Sequence, residues 1–149
     1  LEHIVEKNLK NILIIEDDAE QINPLPDIRD LPKHKITYMA GFIGNAKITD
    51  KSKIIIEHKD GLNVLDQKKH RMISTIAYFV PHAELARKIV EDLKAKPRLR
   101  AIDISLPSVL DVYYYYYPSI FIERPSESSI RPNKNKFANH LYEQTHCRV

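Results

Sequence analysis

The sequence predicts an α+β fold: a single domain over residues 1–123, with a mixed central β-sheet of about five strands flanked by helices. A polar loop or tail follows over 124–149, with room for a short helix at its end. Three observations carry this expectation. A chain of 149 residues, 43% of them hydrophobic, is long enough for one real core and too apolar for wholesale disorder. Several short β-branched runs are bounded by Pro, Gly, Asn and Asp, which is the pattern of strands and turns. One segment, about 82–96, has the apolar stripe of an amphipathic helix.

Residues 1–10 suit a short helix whose few apolar contacts are Ile4 and Leu9. Asn11 to Glu16 contains an unbroken Ile-Leu-Ile-Ile run and reads as a buried strand. Pro24, Pro26 and Pro32 make 17–33 a loop with at most one helical turn. Lys35 to Phe42 suits a strand, and Lys47 to Asp50 with Lys53 to His58 a hairpin that exits at Asp60-Gly61. Leu62, Leu65, Lys69, Met72, Ile73 and Ile76 follow helical spacing, while Met72 to Val80 also suits a buried strand; Pro81 ends either.

In the clear helix, Leu85, Ala86, Ile89, Val90 and Leu93 share a face, Lys94 and Lys96 sit at the end, and Pro97 stops it. Leu99 to Leu106 and Val109 to Glu123 read as extended, the second interrupted at Pro118.

Composition removes several function classes. No apolar run approaches the roughly 20 residues of a membrane span, and no basic, apolar leader opens the chain, so the expected location is cytoplasmic and soluble. A lone Cys147 excludes a disulfide framework and a Cys-rich zinc site. Three glycines are too few for a glycine-rich phosphate cradle. The lysine- and isoleucine-rich, glycine-poor composition is compatible with a small viral or archaeal protein.

The net charge is +3, but its distribution is uneven. Residues 1–30 hold eight acids against Lys7, Lys10 and Arg29, leaving −5 there and +8 in the remainder. A basic body points to a polyanion as partner, although lysine-rich surfaces also simply confer solubility.

The most pointed local signal is Lys-Ile-Ile-Ile-Glu-His-Lys at 53–59. On a strand, Glu57 and Lys59 fall on one face. A carboxylate that holds a divalent metal, beside a lysine that orients water and offsets phosphate charge, suits phosphodiester hydrolysis. With the upstream Pro26-Asp27, these residues resemble the PD-(D/E)xK nuclease superfamily over about a quarter of the chain. The resemblance implies Asp27 and Glu57 as ligands of Mg²⁺ (or Mn²⁺) and Lys59 as the catalytic lysine. The same residues are also compatible with an exposed strand face bearing an ion pair. Glu84, just after His82 and Pro81, is a further candidate metal ligand and catalytic base; an acid there equally complements a helix dipole.

Ile-Leu-Ile-Ile-Glu-Asp-Asp at 12–18 is similar to the opening strand of response-regulator receiver domains, whose acidic pair binds Mg²⁺, but no aspartate stands at the phosphoacceptor place. Basic residues gather in bursts: Lys51, Lys53, Lys68, Lys69 and Arg71, then Arg87 and Lys88. They are candidates for gripping nucleic-acid phosphates, DNA rather than RNA. Tyr113 to Tyr117 places Tyr113, Tyr115 and Tyr117 on one face of a strand and Tyr114 and Tyr116 on the other. One face is then free to pack on a core while the other offers rings for base stacking.

The sequence therefore predicts a metal-dependent nuclease using Glu57, Lys59, Asp27 and Glu84. The alternative is a non-enzymatic nucleic-acid-binding protein using the basic surface and the tyrosine strand. A receiver-like or partner-binding module is the remaining reading.

Overall fold

β-Branched and aromatic side chains suit a pleated, half-covered surface, and such runs supply most of the strands. The computed structural model describes residues 1–40, 42–45, 59–66, 70–73, 75–98, 101–110 and 112–124, with the backbone alone for 42–45, 66, 70, 71 and 73. In chain order these form α1 (Glu2–Glu6), β1 (Lys10–Ile15), β2 (Ala19–Gln21), β3 (Thr37–Tyr38), β4 (Phe42–Asn45), β5 (Gly61–Asp66), β6 (His70–Ile73) and β7 (Ala77–His82). Then come α2 (Ala83–Lys94), α3 (Ile102–Ser105), one 3-10 turn (Pro107–Val109), β8 (Val112–Tyr117) and β9 (Phe121–Glu123).

The α+β class is the one observed. Five strands form a mixed sheet in the order β1-β7-β3-β8-β5. β3 and β8 are parallel and the other neighbours antiparallel, unlike the doubly wound parallel sheet of receiver domains. Two small pairs, β2–β9 and β4–β6, complete the strands. No helix among the described residues is long and apolar enough to cross a membrane.

Period-two alternation sorts side chains onto the two sheet faces. On one, Tyr38, Tyr78, Val80, Leu65, Tyr113 and Tyr115 pack beneath Ala83, Ala86, Ile89 and Leu93 of α2. Burying Ile89 or Leu93 stabilises the fold by roughly 1.5–3 kcal/mol each. Tyr38 sits among aromatic neighbours, its ring centroid 5.2 Å from that of Tyr113 and 6.0 Å from that of Tyr78. On the other face, hereafter the outer face, Met39, Ala77 and Phe79 pack with Leu31, Ile120 and Phe121.

Several sequence expectations change in the structure. Ile12 to Ile15 is indeed a strand, but at the sheet edge and only half-covered, with Ile15 46% exposed. The 17–33 loop contains the short strand β2. The strand expected over 35–42 divides because the Met39 carbonyl accepts from Ile120 (2.8 Å) and Phe121 (3.2 Å), which ends β3.

Between 61 and 82 the described residues form three strands, Gly61–Asp66, His70–Ile73 and Ala77–His82, and no helix. Gly61 starts β5 at φ +90°, a backbone glycine adopts without strain. Pro81 lies within β7 rather than ending it. The β7 residues of odd number bond toward β3, where pairing has already stopped at Thr37–Phe79, so the missing N–H of Pro81 costs no ladder bond.

The stretch expected to be extended over 99–106 holds α3 instead. Ile104 and Ser105 both donate to the Ala101 carbonyl (3.0 and 2.9 Å), so local bonds capture the segment. β8 and β9 form on either side of Pro118 as expected. Residues 47–58, expected to form a hairpin, and 125–149, expected to form a loop or tail, lie outside the described residues.

Candidate nucleic-acid interface

Helix α2 starts at His82, whose extended backbone and ring cap it: Nδ1 accepts the Leu85 N–H at 3.1 Å. Glu84 is exposed in the first turn, where its charge complements the dipole. Arg87 and Lys88 are exposed on the side of α2 away from the sheet. Lys94 ends the helix and pairs with Glu2 of α1 at 2.6 Å, which holds the Glu2 carboxyl below its usual range.

Lys59 leads into β5 and is exposed. Its backbone is clasped by Asn63, whose Oδ1 accepts the Lys59 N–H at 3.0 Å while Nδ2 donates to the carbonyls of Lys59 (2.6 Å) and Gly61 (3.0 Å). Asp27 is exposed and its carboxylate is held by Arg29. The Arg29 N–H donates to Oδ1 at 2.8 Å, Nε donates to both oxygens at 2.9 Å, and Nη2 donates to Oδ2. These bonds keep the Asp27 carboxyl below the ordinary aspartate range. A metal at Asp27 would have to displace that fork.

The sheet register separates two of the expected site residues. β7 and β5 run in the same direction, and Phe79, Thr37, Tyr114 and Val64 lie in one row across them. Glu84 follows the end of β7, whereas Lys59 precedes the start of β5. They therefore stand at opposite ends of the sheet and three strand spacings apart, roughly 25 Å. The expected convergence of Glu84 with Lys59 is not formed. Glu57, Lys51, Lys53, Lys68 and Lys69 lie outside the described residues, as does the side chain of Arg71. Among the described residues, no three His, Cys, Asp or Glu side chains gather to hold a metal.

Glu16, the first acid of the receiver-like run, accepts from the buried Thr75 hydroxyl at 2.7 Å. Burial, and secondarily the Glu16 charge, push the Tyr78 hydroxyl up to about 12.

The tyrosine strand divides as its alternation predicts. Tyr113 and Tyr115 are buried on the helix side, and Tyr114 and Tyr116 are half-buried on the outer face. Tyr116 packs against the outer core, whereas Tyr114 meets His34, ring edge to ring face, with centroids 5.9 Å apart and Oη 3.4 Å from Nε2. Lys33 extends over the Phe79 ring, 5.5 Å from its centroid, and donates to the Ile28 carbonyl. Leu62 pairs with Tyr116 and Val64 with Tyr114; both aliphatic side chains are exposed, Val64 to 60%. The outer face thus joins aromatic and aliphatic area to Lys33 and His34.

His34, Lys33 and Val64 were missed by motif reasoning. Only strand pairing brings these two stretches of sequence together beside Tyr114. Asn63 was legible in principle, since Asp60-Gly61 with an Asn two residues on is turn chemistry. No family model matches the chain, and no curated protein or solved structure is significantly similar to it.

Proposed function

We propose that the protein binds single-stranded nucleic acid on the outer face of its sheet. The observation that carries this reading is the half-buried Tyr114 ring on that face, beside His34 and flanked by the exposed Val64. An unpaired base offers a flat apolar surface to such an aromatic and aliphatic platform, worth about 1–3 kcal/mol per stacked base. Lys33 and His34 are next to it and suit the accompanying phosphates. A duplex keeps its base faces covered and loses the stacking term.

Phosphodiester cleavage with Mg²⁺ or Mn²⁺ is the second reading, favoured by one placement: Lys59 enters β5, the strand bonded to β8. A strand lying on Tyr114 and Leu62 then extends toward Lys59. In this version Glu57 is the metal-binding carboxylate and Lys59 the catalytic lysine, without Glu84.

The test is binding of labelled single-stranded and duplex DNA and RNA across a salt series, repeated with Mg²⁺ and with EDTA. The proposal expects single strands to bind more tightly, with affinity falling as salt rises. Cleavage with Mg²⁺ that is lost in Glu57→Ala and Lys59→Ala supports the second reading. Equal affinity for duplex, or none for any nucleic acid, overturns the proposal.

A further inference from the structure

We propose that the outer edge of β1 pairs antiparallel with the same edge of a second copy of this chain, joining two five-stranded sheets. This inference stands independently of the nucleic-acid reading.

The backbone directions are set by β7. Glu16 donates to the Ile76 carbonyl at 2.8 Å, while Met39 donates to the Ala77 carbonyl at 2.9 Å. Residues of even number in β7 therefore bond toward β1, and those of odd number toward β3. Across the register, Ile12 and Ile14 face Val80 and Tyr78 and spend their backbone groups on β7. Leu13 and Ile15, opposite Phe79 and Ala77, turn theirs outward. No other described strand lies beyond β1.

An edge of this kind is a template for pairing, and protein edges are usually blunted by charge, proline or a bulge along their length. Here the central Ile12-Leu13-Ile14-Ile15 run carries none of the three, and charge appears only at its ends. An unbroken apolar run is the sequence of a strand covered on both sides, yet in one copy it is half-covered.

Charge complementarity chooses the partner and the register. With Leu13 opposite Leu13 of the second copy, a twofold axis passes between them. Ile12 then faces Ile14, and Lys10 faces Glu16, at both ends. The outward-facing Leu13 pair exchanges two backbone bonds, as a closely spaced antiparallel pair does, and the arrangement is self-complementary, as a twofold interface requires. Asn11, at φ +55°, limits the regular ladder to about residues 12–15 and leaves the ion pairs at its margins.

The experiment is sedimentation of the full chain over a concentration series, with charge reversals at the two ends. Wild type is expected to show a monomer–dimer equilibrium. Lys10→Glu alone and Glu16→Lys alone each place like charges face to face twice, and each is expected to weaken dimerisation by about tenfold or more. Mixing the two singly reversed chains restores opposite charges at both ends and is expected to recover a heterodimer. Circular dichroism and thermal melting establish that each variant is folded. Wild type that remains monomeric at every concentration overturns the proposal. So does a dimer that both reversals leave intact, or a mixture of reversed chains that fails to associate.

Discussion

His82, two residues before the candidate Glu84, fixes the start of a helix with its ring nitrogen. Replacing His82 with Ala leaves the Leu85 N–H without its acceptor and is expected to cost about 1 kcal/mol, measured as a lower urea midpoint. His82→Asn keeps an acceptor at the cap and is expected to recover most of that loss. The tyrosines give a second prediction at this scale. Burial raises Tyr78 to about 12 from 10.0, and it also holds the Tyr38 hydroxyl well above its ordinary range. A hydroxyl harder to ionise in the folded than the unfolded state contributes stability that is fully present below pH 10 and lost above it. Urea midpoints are therefore expected to fall as pH rises from 10 toward 12, with phenolate absorbance from these residues appearing only with unfolding. A midpoint constant across that window would contradict the burial argument.

Strand β8 makes a paired prediction at the scale of elements. Tyr113 accepts the Met72 N–H through its hydroxyl and so ties β6 to β8. Tyr38, wholly buried, has a hydroxyl with no partner among the described residues. Tyr113→Phe orphans a buried donor and is expected to cost about 1–3 kcal/mol, whereas Tyr38→Phe is expected to be neutral or stabilising. Denaturant unfolding of the two variants checks both. The same element shows what a sequence can carry: alternation alone separates Tyr113 and Tyr115 from Tyr114 and Tyr116, because period two is a property of the strand itself. The α2 stripe was legible for the same local reason. Leu62 to Ile76 was not, since apolar residues three and four apart also fit two short strands joined by a turn. α3 was hidden behind Ile102 and Ile104, whose β-branched preference is overridden by bonds to Ala101.

At the scale of the whole molecule, the mixed five-stranded sheet followed from the number and kind of apolar runs, but its strand order did not. That order depends on partners far apart in sequence, such as Thr37 with Phe79 and Tyr114. It also decides the candidate site. It separates Glu84 from Lys59, and it assembles Val64, Tyr114 and His34 from three distant stretches. Even the apolar run of β1, a buried strand by sequence, acquires a meaning only from its position at the edge, where a second copy of the chain supplies the missing cover.

Arg87 and Lys88 lie beyond the helix layer, on the opposite side of the sheet from Tyr114. The two surfaces can therefore be tested separately. The most direct test compares the affinity of wild type, Tyr114→Ala and Arg87→Ala/Lys88→Ala for one labelled single-stranded oligonucleotide at fixed salt, by fluorescence anisotropy. Binding on the outer face predicts a loss of about tenfold for Tyr114→Ala, the scale of one stacked base, and a change of no more than about threefold for the double variant. Unchanged affinity in Tyr114→Ala, with loss confined to the helix variant, would contradict the account.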